Sequence, residues 1–146
     1  MALVLGLTCL TSCSDFLNRQ PTNSGNADEA IATQRDAEVA INGMMFKMSS
    51  SSYYGRNFLL YGDAKGGDLT IYTNGRGNDN LYTFNHTPTS GTYQAFWSQI
   101  YDCIMQANNL IENIDKRQAD GNTALNYYKG EALSLRALFY FDLVRL

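Results

Sequence analysis

The sequence has 146 residues, of which 45% are hydrophobic and 17% charged, so it can bury one core but is not clearly long enough for two domains. Its formal net charge is only −3, and it has no dense cluster of Lys or Arg. A phosphate backbone must be neutralised by several cations, so this composition disfavours a nucleic-acid partner.

The N-terminal segment has the pattern of a secretion signal followed by a lipid-attachment cysteine. The apolar run at residues 1–10 is too short to span a bilayer but has the length of a signal-peptide core. The run continues as Leu-Thr-Ser-Cys, which is similar to a bacterial lipobox. Cys13 is a better acceptor than Cys9, because Leu7 puts a bulky residue where the pattern before Cys9 needs a small one. We predict a signal segment at 1–12, lipid on Cys13 and a polar tether at 13–27. The alternative is a buried N-terminal helix in which both cysteines are core residues.

A helical stripe of apolar residues predicts a first helix that ends near Lys47. Asn26 or Asp28 can cap this helix, with acidic residues in the first turn, where the helix dipole is positive. Four consecutive serines at 49–52 predict a flexible joint. A shorter helix, interrupted by glycines, is predicted within 53–64.

Two stronger helical patterns follow further along the chain. Residues 91–115 place aromatic and aliphatic side chains at steps of three and four. A polar connection at 116–122 leads to a second pattern, which Thr123 caps and which continues to the last residue. Because the connection is short, we expect an antiparallel hairpin. The segment 138–141 is apolar on more than one face, so we expect burial on both sides within a larger domain, and we expect residues 14–146 alone to be unstable or to associate.

Residues 63–90 are predicted to form a long irregular loop with brief strands at most. Glycines alternate there with Asn, Asp, Thr and Tyr, and ordering such a segment is entropically costly, so a purely structural role explains it poorly. Its aromatic faces, amides and guanidinium group suit neutral, polyhydroxylated ligands. We predict a glycan-binding site formed by Asp68, Tyr72, Arg76, Tyr82 and Asn85. Either Tyr72 or Tyr82 would be the ring on which the sugar stacks. The alternative is a glycine-rich surface loop without a ligand.

No sequence pattern indicates catalysis or metal binding. His86 is the only histidine and lies in the polar loop, where a solvated side chain is favoured over a catalytic base. Cys103 lies in a helical apolar pattern without a nearby histidine, so we predict a small core residue there. The spacing of Asp63, Asp68 and Asp79 does not match a calcium-binding EF-hand loop. We therefore expect no enzymatic activity, no cofactor and no metal.

Several of these segments, in this order, resemble the SusD/RagB family. Cys13 and the Ser-Asp-Phe-Leu that follows it look like the family's mature N-terminus, and residues 36–43 look like its first helix. Residues 96–111 contain an aromatic pair, a tyrosine and an Ala-Asn pair on one helix, as in the family, and residues 131–144 are similar to its most recognisable segment. The resemblance covers essentially the whole chain and the first quarter to third of a typical member.

The resemblance implies an all-α fold of tetratricopeptide-like helical hairpins with a long irregular insert rich in Gly, Tyr and Asn. Residues 28–146 would be the N-terminal part of that helical domain. By the same resemblance, the hairpins dock on a SusC-like, TonB-dependent outer-membrane transporter, and the inserts carry an oligosaccharide. The expected protein is a cell-surface, glycan-binding lipoprotein, anchored in the outer membrane through Cys13, that acts in nutrient uptake. A RagB-like relative would bind peptides instead, and a lid on the transporter would bind no ligand.

The resemblance also implies a set of framework residues, namely Trp97, Ala107, Asn108, Glu131 and Arg136. We expect Trp97 to be an anchor in the helix interface. The polar members of the set are expected to tie helix ends together by hydrogen bonds.

Overall fold

The computed structural model describes residues 31–70, 72, 79–85, 87–89, 91–118, 121 and 123–145. The predicted signal segment, the tether with Cys13, and both Arg76 and His86 lie outside these residues. The described part of the chain is all-α, as predicted, and it contains no strand. Its helices are α1 (Gln34–Met48), α2 (Asn57–Gly66), α3 (Asp79–Tyr82), α4 (Gly91–Gln118) and α5 (Asn126–Arg145).

Helix α1 begins later than predicted, because Thr33 rather than Asn26 or Asp28 is its N-cap. Thr33 has extended backbone, and its side chain accepts a hydrogen bond of 3.2 Å from the Asp36 N–H. The Asp36 carboxylate accepts one of 2.8 Å from the Thr33 N–H in return. This capping box satisfies two backbone donors that the helix leaves unpaired, and its hydrogen bonds lower the pKa of Asp36. Residues 31–33 are not helical, so the predicted start is wrong, whereas the predicted end is right to within one residue.

The serine run forms a compact set of turns between α1 and α2. The carbonyl oxygen of Ser50 accepts hydrogen bonds from the N–H groups of Tyr53 (3.0 Å) and Gly55 (2.9 Å). A Cβ atom on Gly55 would collide with the carbonyl oxygens of Ser49 and Ser50, so the turn requires glycine there. The predicted helix within 53–64 exists, but it starts only at Asn57, because these turns use the residues before it.

Helices α4 and α5 form the predicted antiparallel hairpin. Three polar contacts join them, and as the residue number rises on α4 it falls by the same amount on α5. The pairs are Asn108 with Arg136, Asp115 with Lys129, and Gln118 with Asn126. Helix α4 is longer than predicted, since Gln118 is still helical. Thr123 is not the N-cap of α5 that was predicted, because α5 begins three residues later and Thr123 supplies its backbone carbonyl to the Asn126 N–H.

The core lies where α1 packs against the α4–α5 hairpin. Helix α1 runs antiparallel to α4, since Lys47 near its end pairs with Asp102 and the Arg117 Nε donates to the Ile31 carbonyl (2.9 Å) ahead of its start. Cys103 is fully buried, which confirms its prediction as a core residue. The core also contains Ala37, Ile41, Met44, Phe96, Ile100, Ala107, Leu110, Ile114, Leu125, Ala132, Leu135 and Phe139.

A buried carboxylate connects the turn after α1 to the end of α5. Asp142 is fully buried, and one of its oxygens accepts hydrogen bonds from the hydroxyls of Tyr53 (2.5 Å) and Tyr54 (2.7 Å). Its other oxygen accepts a charged hydrogen bond of 3.0 Å from Arg145. Burial, together with this carboxylate, raises the pKa of Tyr54 to about 12 and that of Tyr53 further. Three donors therefore satisfy a charge that would be costly to bury alone.

One face of α5 packs into the core and another is exposed. Phe139 and Leu135 are buried, whereas Phe141 and Val144 are exposed and Tyr140 is partly so. The sequence predicts that residues 138–141 are buried on both sides of the helix. Among the described residues, only one face of α5 is buried. None of the helices among the described residues is both long and apolar enough to cross a membrane.

Candidate functional site

An open cavity of about 450 Å³ lies beside α2, α4 and α5. Small-molecule sites commonly have volumes of about 300–1,000 Å³ and mainly apolar walls with a few polar groups, and this cavity has both properties. Its lining consists of Tyr61 and Lys65 from α2, Pro88 from the segment before α4, Tyr93, Gln94, Phe96 and Trp97 from α4, and Leu143 from α5.

The aromatic walls of the cavity are held by ring contacts. The Tyr61 ring stacks on Phe96, with centroids 5.0 Å apart and planes inclined by 24°. Tyr93 meets Tyr61 edge-on at 4.6 Å and 84°, and the Lys65 Nζ lies 5.8 Å from the Tyr61 ring centroid. Such offset and edge-on arrangements are the favoured geometries of aromatic pairs. The inner wall is therefore fixed by packing before any ligand arrives.

Helix geometry separates the two rings of the Phe96-Trp97 pair. Successive residues of a helix are about 100° apart, so only one of the two can face the core. Phe96 is buried against Tyr61 and Tyr53, whereas Trp97 is 53% exposed and lies 5.3 Å from the Tyr101 ring. The expectation that Trp97 anchors the helix interface is wrong, because Phe96 occupies that place. Trp97 instead presents its indole at the cavity.

The Tyr61 hydroxyl is the most unusual polar group of the cavity lining. Tyr61 is only 2% exposed, and its hydroxyl has no hydrogen-bond partner among the described residues. Burial raises the pKa of this tyrosine, so the group stays protonated and can donate. Leaving a buried hydroxyl unsatisfied costs about 1–3 kcal/mol. The hydroxyl oxygen has almost no accessible surface, so the folded chain itself bears this cost.

The predicted loop residues lie on the two chain segments next to the cavity. Asp68 follows α2 three residues after Lys65 and is exposed, and its N–H donates to the Asp63 carbonyl (3.0 Å). Asn85 precedes Pro88 by three residues and is also exposed.

Both predicted stacking tyrosines face outward. Tyr72 is 99% exposed and Tyr82, at the end of α3, is 42% exposed. The expectation that at least one ring of this loop points outward is therefore confirmed.

Of the polar framework residues, Asn108 and Arg136 join the middles of two helices, whereas Glu131 makes its contact within α5. Arg136 Nη1 donates to Asn108 Oδ1 at 2.8 Å, near the centre of both hairpin helices. Glu131 hydrogen-bonds Tyr127, one turn earlier on α5, and its charge raises the pKa of that tyrosine. Ala107 is fully buried, where its small side chain lets the helices approach.

Sequence reasoning missed the inner wall of the cavity. Tyr61 lay in a short segment of weak helical pattern, and nothing in that segment indicates contact with residues 93–97. The available signal was the placement of Tyr93, Phe96 and Trp97 at i, i+3 and i+4, which puts three rings near one helix face. Within the described ranges, no group of three His, Cys, Asp or Glu side chains could hold a metal ion.

Comparison with known proteins gives consistent matches. A family model named SusD-like and described as starch-binding, associating with outer membrane, matches residues 15–146. SusD-like protein P2 of Formosa agariphila is 36% identical over 149 residues, which cover 99% of this chain and 28% of that protein. SusD-like protein P38 of the same organism is 27% identical over 152 residues, with the same two coverages. The chain thus spans little more than a quarter of the length of these curated relatives. No solved structure matches the chain.

Proposed function

Because the chain belongs to the SusD-like family, we propose that it serves in glycan capture at the outer membrane, on the cell surface. The proposal extends to a SusC-like, TonB-dependent transporter that receives the captured oligosaccharide. The matched family model is described as starch-binding and associated with the outer membrane, which supports the first part.

The observation that carries the proposal is the half-exposed indole of Trp97 at one cavity, together with outward-facing tyrosines on the chain segment between two lining residues. Trp97 is half-exposed at the cavity, and Tyr72 and Tyr82 are exposed on the segment between its Lys65 and Pro88 walls. Aromatic rings pack against the C–H faces of sugars, while a tyrosine hydroxyl or indole N–H meets sugar hydroxyls. An exposed ring at a preformed cavity, with further exposed rings close by in the sequence, suits a carbohydrate site.

Polar residues of the same region would fix the orientation of the bound sugar. Asp68 and Asn85 are exposed on the two segments that adjoin the cavity, and we propose Arg76 as a further donor. Each neutral hydrogen bond contributes only about 0.5–1.5 kcal/mol net. We therefore expect the stacking rings to provide most of the affinity. We expect the polar residues to determine which sugar is bound.

Attachment to the membrane is proposed to occur through lipid on Cys13.

The helical hairpin α4–α5 is the proposed docking element for the transporter, since Asn108 and Arg136 hold its two helices as one unit. Solubilising outer membranes in mild detergent and purifying the tagged protein tests this part. A large barrel protein that co-purifies supports the proposed partnership, and recovery of the protein alone contradicts it.

Glycan binding is tested by calorimetric titration of oligosaccharides, including maltohexaose, into the protein at its natural length. We expect Tyr72→Ala, Tyr82→Ala or Trp97→Ala to weaken binding at least about tenfold, or about 1.4 kcal/mol. The matched control is Phe46→Ala, because Phe46 is 79% exposed on α1 and does not line the cavity. The affinity should change little with salt, since no ion pair with the ligand is involved.

Two outcomes would contradict the glycan proposal. If all three ring variants bind as tightly as the parent, these residues are scaffold. If the protein binds peptides and no oligosaccharide, it has the RagB-like activity instead.

A further inference from the structure

We infer that Tyr101 is a positioning residue, which holds the indole of Trp97 at the cavity before a ligand binds. The inference rests on the proposed function, in which Trp97 stacks on the sugar. It assigns a role at the site to a residue that does not itself line the cavity.

Along α4, Trp97 lies between the other cavity-lining residues of this helix and Tyr101. The others that are nearest the helix start, Tyr93 and Gln94, precede Trp97 by one turn. Tyr101 follows Trp97 by four residues, so it lies on the same face, one turn further along. Long side chains of a helix lean toward its N-terminus, which directs the Tyr101 ring back over the turn that carries Trp97. The two ring centroids are accordingly 5.3 Å apart, with planes inclined by 40°.

This contact contributes to fixing an indole that the core holds only in part. Trp97 is 53% exposed, so packing in the core leaves much of its ring free of neighbours. A helical side chain has two common χ1 rotamers, and these direct the indole to different places. The contact with Tyr101 removes apolar surface from water only in the rotamer that brings the two rings together, and it therefore favours that rotamer.

Without the Tyr101 ring, the indole would be free to turn away from the cavity. Exposed side chains exchange between rotamers within picoseconds to nanoseconds. A ligand would then have to order the indole as it binds, and ordering one such side chain lowers the affinity about two- to tenfold. Tyr101 is itself 45% exposed, so its truncation leaves the buried core in place.

Fluorine NMR measures the order of the indole in the free protein. The protein at its natural length is labelled with 5-fluorotryptophan, and the Trp97 signal is identified by its loss in Trp97→Phe. We expect Tyr101→Ala to lower the transverse relaxation rate of this signal, because fast internal motion of the indole increases. Tyr101→Phe keeps the ring and should leave the rate at the parent's value.

Calorimetric titration of maltohexaose shows whether Tyr101 acts through Trp97. We expect Tyr101→Ala to weaken binding about two- to tenfold and Tyr101→Phe to bind as the parent does. In the Trp97→Ala background, Tyr101→Ala should cause no further loss, since the residue that it positions is absent. The matched control is Tyr127→Ala, because Tyr127 is an exposed tyrosine of α5 that contacts the Tyr128 ring at 5.4 Å and does not line the cavity.

The outcomes separate this inference from the proposed function. If Tyr101→Ala weakens binding equally with and without Trp97, the Tyr101 ring contacts the sugar itself and the positioning role is overturned. If the relaxation rate of the Trp97 signal is unchanged in Tyr101→Ala, the inference is overturned while glycan capture stands. If no oligosaccharide binds the parent protein, the proposed function fails, and the relaxation rate still decides whether Tyr101 holds the indole.

Discussion

Replacing Asp142 should loosen the junction between α5 and the turn that follows α1. Its carboxylate is fully buried and accepts hydrogen bonds from Tyr53 at 2.5 Å and Tyr54 at 2.7 Å. Arg145 completes the set at 3.0 Å, but its side chain is partly exposed, so solvent screens its contribution. Most of the stabilisation therefore comes from the two tyrosine hydroxyls.

The expected magnitudes follow from that arrangement. A hydrogen bond to a charged group contributes about 1.5–3 kcal/mol, so Tyr53→Phe should cost that amount. Breaking a buried charge network by removing one partner costs about 3–5 kcal/mol, and Asp142→Asn should lie near the lower end because the amide retains an acceptor. The double variant should cost less than the sum of the two, by a coupling energy of about 0.5–3 kcal/mol.

Hydrogen exchange with mass spectrometry measures the effect at the place where it acts. Peptides from α5 report the free energy of local opening in the protein at its natural length. Tyr140→Phe, a tyrosine variant on the same helix but outside this cluster, should leave α5 exchange unchanged. Strictly additive effects of Tyr53→Phe and Asp142→Asn would refute the reasoning, since residues in direct contact must couple.

Four further predictions concern Tyr54, Cys103, Thr33 and Cys13. The pKa of Tyr54 is raised from its ordinary value of 10 to about 12. Its contribution to stability is therefore complete below pH 10 and is lost as the pH rises toward 12. In Tyr54→Phe, the free energy of unfolding should fall less steeply with pH over this range. Burial raises the pKa of the Cys103 thiol to about 11, so iodoacetamide at pH 8 should modify it only after denaturation, as mass spectrometry can show. Thr33→Ala removes the cap of α1 and should cost about 1 kcal/mol in urea denaturation, whereas Thr123→Ala, where only the backbone carbonyl is used, should cost little. Palmitate labelling in cells should be lost in Cys13→Ala and retained in Cys9→Ala; label persisting in the Cys13 variant would contradict the anchor.

The sequence predicted helices well where the apolar period was long and predicted their starts poorly. Helices α4 and α5 followed from residues spaced by three and four over several turns. The start of α1 could not be predicted in this way, because Asn26, Asp28 and Thr33 are all good N-cap residues. Arg117 binds the carbonyl of Ile31 from 86 residues away, and this tertiary contact, which holds the chain just before Thr33, cannot be read locally.

The candidate site was predicted in its polar, exposed part and missed in its buried part. Outward tyrosines at 72 and 82 could be foreseen, because a glycine-rich polar segment offers no core in which to bury them. Whether Phe96 or Trp97 faces inward depends on the rotation of α4, which packing against α1 and α5 decides. Asp142 was visible as a single acid in an apolar run, but the tyrosines that satisfy it lie 88 and 89 residues away.

The same separation in sequence sets the order in which the fold can assemble. Contacts within the α4–α5 hairpin span a short connection, and such local contacts form early in folding. Helix α1 precedes both of its partners along the chain, so during synthesis Ile41 and Met44 stay uncovered until those helices have left the ribosome. The turn that follows α1 is held in place only after Asp142 has left the ribosome and accepts the hydrogen bond from the Tyr53 hydroxyl. Among the described helices, α1 is therefore the first to be made and the last to be locked in place.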